Sequence, residues 1–163
     1  MERASGQPAG FVMKLPMRDA RQVTTWAHNI LAIYLDADDL TRAAGAEWYA
    51  LEGLRCEKFG KAPRRSRACI AGAAAAISPG LRWESTFSYL EALLKNPAAK
   101  VPTYSRLFVD RAVSILNGEN PAEVLSGPKV RSFYCLLNGY SDGGANVVID
   151  GHALNICRGI PVC

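Results

Sequence analysis

The stretch from Arg65 to Ile77, RSRACIAGAAAAI, constrains the fold more than any other part of the chain. Alanine is the best helix former but carries little apolar surface. A run of this kind therefore predicts a helix over about 65–77 that other helices approach closely and bury. Its apolar part, IAGAAAAI, is far shorter than the roughly 20 residues that span a bilayer.

Helical periodicity also dominates elsewhere. Val23, Trp26, Ala27, Ile30, Leu31 and Tyr34 recur at three- and four-residue steps, predicting an amphipathic helix over about Asp19–Leu35 with Asp19 near its start. A second helix is predicted over Leu40–Phe59, ending at Gly60. The SPG at Ser78–Gly80 breaks the chain, helical spacing resumes over Leu81–Leu94, and NPAAKVP breaks it again. The next helix, Tyr104–Leu116, stops at NGEN, where Gly118 suits a left-handed C-terminal cap. The run NVVID is strand-like but too isolated to specify a sheet. The expected fold class is all-α: a flexible segment over residues 1–18, then a single compact multi-helix domain over 19–163 with a helix-hairpin-helix motif around 121–138.

Composition narrows the setting. With 49% apolar and 21% charged residues, neither a disordered nor a fibrous class is suggested. The net charge of +4 permits a nucleic-acid partner without demanding one. The five cysteines contain no C-x-x-C and form an odd set, which favours reduced thiols over a disulfide framework. Cys157 and Cys163 alone cannot hold an iron–sulfur cluster, so none is expected. The first residues carry charges of both signs and two prolines and lack the apolar core of a signal peptide. A soluble, cytoplasmic protein without a membrane partner, acting as a monomer, is the expectation.

The densest start and stop signals lie between Asn120 and Gly139. Asn120-Pro121-Ala122-Glu123 places an N-cap, a first-turn proline and a glutamate able to reach back to the cap. That helix can run only to about Leu125, because Ser126-Gly127-Pro128 restarts the chain with proline again at a first helical position. A second helix follows from Pro128 to about Asn138, with Gly139 as its stop. Two short helices joined by a tight glycine turn form a helix-hairpin-helix.

With Gly127-Pro128-Lys129 in the hairpin and Val148-Ile149-Asp150-Gly151-His152 further on, the chain resembles the helix-hairpin-helix DNA glycosylases, the base-excision superfamily. AAAISPGLRWESTFSYLEALL is similar to the family segment that wedges a residue into the DNA stack, and YSRLFVDRAVSILNG to the helix leading into the hairpin. The resemblance covers about Ala71 to Ile156. It implies DNA as partner, Lys129 and Asp150 as the catalytic pair, and no cofactor beyond a monovalent cation at the hairpin carbonyls.

Physical chemistry supports those roles. In the first turn of its helix Lys129 would present an amine able to form a Schiff base with a deoxyribose. Asp150 would stabilise an oxocarbenium-like sugar as the base departs. A base inside a duplex must first be flipped out. Leu81, Arg82 and Trp83 are the candidates to fill the gap, Trp83 foremost. Ser126 and Gly127 would offer amides to a phosphate, with Arg64, Arg65, Arg67 and Arg131 supplying charge. His152 is assigned a supporting, hydrogen-bonding role.

Other interpretations of the same residues stay open. A lysine on a helix is ordinarily only solvated, Asp150 suits the N-cap of a last short helix, and KAPRRSR suits either a solvated helix start or a backbone-binding patch. Trp26, Trp48 and Tyr49 are expected in the core, with at least two of Trp83, Phe87 and Tyr89. The expected function is a DNA glycosylase, with AP-lyase activity because the lysine is present. The alternatives are a base-modification enzyme using the same glycosylic chemistry, a non-catalytic helix-hairpin-helix DNA-binding module, and an all-α interaction protein in which the Lys-Asp pair is accidental.

Overall fold

A computed structural model describes residues 17–62, 64–140 and 146–160. Among them the chain forms eight helices and no strand, α1 (Met17–Asp36), α2 (Asp39–Lys61), α3 (Arg67–Ile77), α4 (Trp83–Lys95), α5 (Arg106–Leu116), α6 (Pro121–Val124), α7 (Pro128–Asn138) and α8 (Gly151–Cys157). The fold is all-α. Most of the expected flexible segment lies outside the described residues, but Met17 and Arg18 already belong to α1.

Contacts sort the described residues into two compact units, one made by α1 and α8 and the other by residues 37–150. In the first, the Asn29 side-chain amide donates to the Cys157 carbonyl at 2.7 Å, fastening the end of α8 to the middle of α1.

The second unit is built around α3. Every residue from Ile70 to Ile77 is buried, and α2, α4, α5, α6 and α7 all pack against this helix. Small side chains make that crowding possible. A Cβ at Gly72 would stand 2.6 Å from the Pro121 Cβ, so α6 begins directly against the α3 backbone. Ile70, Ile77, Leu90, Val109, Ile115 and Leu137 fill the space around it and are almost fully buried.

Local signals set the helix ends. Asp38 caps α2 by accepting from the Thr41 amide at 2.7 Å, and Ser66 caps α3 by accepting from the Cys69 amide at 3.1 Å. The hydrogen bonds from Thr41 hold the Asp38 carboxyl below its usual range. Gly118, with φ +109, ends α5 as expected: its amide donates to the Ile115 carbonyl and the next amide, Glu119, to Ser114. Gly60 does not end α2, which runs one residue further to Lys61. Its missing side chain serves a different need, because a Cβ there would collide with the Arg65 carbonyl while the Arg65 amide donates back to the Gly60 carbonyl at 2.8 Å. The NVVID segment has no regular structure.

Candidate active site

The turn between α6 and α7 places the lysine. Asn120 accepts from the Ala122 amide at 3.1 Å and donates its own side-chain amide to Glu123 at 3.0 Å, so α6 starts where its cap residues dictate. Leu125 is 2% exposed and anchors the turn in the core, whereas Ser126 and Gly127 face solvent. Gly127 has φ +84, and a Cβ there would meet open space, so its requirement for glycine is conformational and not steric. No side chain caps the start of α7, which leaves its first amides available for an anion. Lys129 is the second residue of that helix and is half-buried. Arg131, exposed, donates to the Ala122 carbonyl at 2.7 Å and braces α7 against α6.

Phe133 stands one turn beyond Lys129 on the same face of α7. Its ring packs edge-on to Tyr49 of α2, with centroids 6.0 Å apart, and stacks near Trp48 at 6.2 Å. Tyr49 in turn lies within electrostatic reach of Asp150: burial first, and the Asp150 charge second, push its phenol above the usual tyrosine range. Asp150 is half-buried at the end of the extended segment that precedes α8. Asp150 is therefore linked electrostatically to Tyr49, whose ring packs on Phe133, and Phe133 lies one helical turn from Lys129. Trp48 and Tyr49 pack against the core as expected, while the only signal for Phe133 in the sequence is its four-residue spacing from Lys129.

Three expected contributors, Trp83, Leu81 and Arg67, sit elsewhere. Trp83 is not poised as a wedge: its ring packs within 5.3 to 5.5 Å of Phe133, Trp48 and Phe87, and its indole Nε1 is buried without a hydrogen-bond partner among the described residues. Aromatic packing outweighs exposure there. Leu81 is also half-buried against the core, so of that trio only Arg82 faces solvent. Arg67 likewise turns inward. Its Nε donates to the Leu137 carbonyl at 2.9 Å, and its guanidinium fills the space left by the missing side chain of Gly53.

Arg64 and Arg65 remain exposed and have no ion-pair partner among the described residues. They line a cleft of about 320 Å³ together with the turn from Asn117 to Pro121 that leads into α6. Cys69 lies in the same cleft, donates to the Ile115 carbonyl at 3.3 Å, and has its thiol pushed up by burial despite the nearby Arg65. His152 is exposed on α8, in the other unit. Cys163 lies outside the described residues. Among the described residues no three His, Cys, Asp or Glu side chains are grouped to hold a metal ion, and no helix is long and apolar enough to cross a membrane.

No curated protein and no solved structure matches the chain. A family model matches residues 13–162, a span that takes in both Lys129 and Asp150. The chain therefore belongs to the family of unknown function DUF7178.

Proposed function

We propose that the chain is a DNA glycosylase with associated lyase activity, which excises a modified or damaged base after the nucleotide is flipped out of the duplex. The observation that supports this reading is the exposed Ser126–Gly127 turn that sets Lys129 in the uncapped first turn of α7, with Phe133 one turn further on and its ring neighbour Tyr49 sensing the Asp150 charge. In that role the exposed Ser126–Gly127 turn and the free amides of α7 grip a phosphate, and Arg131 stiffens the hairpin. Asp150 stabilises positive charge on the sugar as the glycosylic bond breaks. The Lys129 amine attacks the anomeric carbon as the glycosylic bond breaks and the base leaves with one of its protons; the C1′–O4′ bond then opens, O4′ taking the second proton, and the C=N bond of the Schiff base forms. No cofactor enters these steps. Arg64 and Arg65 hold a more distant stretch of the same DNA backbone, at the cleft that borders the start of α6.

The deciding experiment is covalent trapping. The protein is incubated with duplexes carrying an abasic site or a panel of modified bases, and sodium borohydride is added. A stable protein–DNA adduct, together with base release, is the expected result. DNA binding with neither adduct nor release would assign the chain to the non-catalytic binding modules, and an absence of DNA binding at any salt would end both readings.

A further inference from the structure

Tyr104 is 85% exposed, the most open of the large apolar side chains described. It is nevertheless seated. Gly80 adopts φ +82, and a Cβ at that position would lie 2.5 Å from Tyr104 Cε2 and 2.8 Å from both Cδ2 and Cζ. Three neighbouring ring atoms thus rest on a backbone that has no side chain between them and the turn.

Both sides of this contact are braced. The Leu81 amide donates to the Ser78 carbonyl at 3.1 Å, closing the turn that holds Gly80. Next to the tyrosine, the Thr103 amide donates to the Val101 carbonyl at 2.9 Å and its hydroxyl donates to the Ser105 carbonyl at 2.9 Å. The ring is held on one side while the rest of it is open to solvent. Arg82, two residues beyond Gly80, and Lys100, four before Tyr104, are both exposed and without an ion-pair partner among the described residues.

We infer that Tyr104 is a stacking platform for an unpaired DNA base, with Arg82 and Lys100 meeting the flanking phosphates. A flat ring fixed on one side loses little conformational entropy on receiving a second ring, and stacking on aromatic side chains is the sequence-tolerant way proteins hold single-stranded nucleic acid. Exposed cations two residues from Gly80 and four from Tyr104 favour a polyanion over an uncharged surface. Along the chain Gly80 is three residues from Trp83, at most about 11 Å, and the Trp83 ring packs on Phe133 at 5.3 Å. The inference rests on the DNA partner proposed above but not on the glycosylic chemistry.

The test compares wild-type protein with Tyr104→Phe and Tyr104→Leu. Affinity for short single-stranded DNA is measured by fluorescence anisotropy, and stacking by quenching of 2-aminopurine placed in the strand. Thermal melting confirms that each variant folds, as expected for so exposed a side chain. Tyr104→Phe should bind within about twofold of wild type and keep the quenching, whereas Tyr104→Leu should bind about tenfold more weakly and lose it. Full affinity in Tyr104→Leu would point to an apolar contact with a protein partner and overturn the inference. A loss in Tyr104→Phe equal to that in Tyr104→Leu would also overturn it, since the hydroxyl and not the ring would then matter. If the wild type binds no single strand, the platform is refuted. If it binds and quenches but forms no borohydride adduct with abasic DNA, the platform stands and the lyase assignment falls.

Discussion

Arg67 donates from Nε to the main-chain carbonyl of Leu137, across seventy residues of sequence, at 2.9 Å. The bond ties the start of α3 to the end of α7, and the guanidinium passes α2 at Gly53, where any side chain would collide with it and with the Leu137 carbonyl. Gly139, with φ +81, then closes α7 beside the same guanidinium.

That arrangement predicts an inverted response to a helix-favouring substitution. Gly53→Ala should gain up to about 1 kcal/mol of helix propensity in the interior of α2, yet the overlap with Arg67 and Leu137 should cost about 1–3 kcal/mol. Chemical denaturation should show a net loss of stability. Arg67→Met, which removes a charge-assisted hydrogen bond to a carbonyl, should cost about 1.5–3 kcal/mol. Stability unchanged in both variants would show that this three-helix junction is not held as described.

The same geometry separates the arginines in a binding assay. If Arg65 meets a DNA phosphate, Arg65→Ala should reduce the slope of log affinity against log salt by about 0.9. Arg67→Met should leave that slope unchanged at temperatures where it is folded, because its guanidinium is committed to Leu137. Equal effects of the two changes would restore Arg67 to the DNA surface.

For the catalytic pair, Lys129→Gln should retain DNA binding while abolishing borohydride trapping, because the amine is gone and the hairpin remains. Asp150→Asn should slow base release by about 10²- to 10³-fold, the usual scale for losing a group aimed at developing charge. Single-turnover kinetics checks both. Should either variant melt far below wild type, the residue is structural and its catalytic role loses support.

Tyr49 offers a reporter of Asp150 that is independent of activity. The carboxylate charge is the second cause of its raised pKa after burial. Asp150→Asn should lower the Tyr49 pKa but leave it above the ordinary value, since burial persists; NMR titration of ring-labelled tyrosine reads this directly. The linked stability has a defined sign. Because the folded pKa exceeds the unfolded one, the Tyr49 contribution is fully present below the ordinary tyrosine range near pH 10 and is lost as pH rises through the raised value. Asp150→Asn should therefore blunt the alkaline loss of stability. An unmoved Tyr49 resonance would separate Asp150 from the aromatic group.

Helices are legible in the sequence where a short-range rule sets their ends. Asn120, Pro121 and Pro128 act within one turn, and Gly139 and Gly118 are needed for backbone conformations that few other residues adopt, so the limits of α5, α6 and α7 fall close to the expected ones. The alanine run discloses its own crowding because nothing else justifies so little side-chain volume. The direction of long side chains is not legible in the same way. Nothing local distinguishes Arg67 from Arg64 and Arg65, since its acceptor belongs to another helix. Trp83 carries the hallmarks of an exposed rim residue by following a Pro-Gly break, but two rings distant in sequence, Trp48 and Phe133, help determine where it goes. Gly60 resembles a stop signal because glycine there serves the tight return of the chain at Arg65, five residues on, and not the helix end itself.

The central position of α3 has a consequence for how the larger unit opens. Five helices lean on a segment whose side chains are too small to interlock deeply with any one of them. None can detach without leaving the alanine backbone bare to water, and no single neighbour can protect it alone. The amide protons of Ile70 to Ile77 should accordingly exchange with deuterium only when the whole unit unfolds. Their common rate would then serve as a clock against which fraying of the hairpin, with its one-turn α6, can be timed.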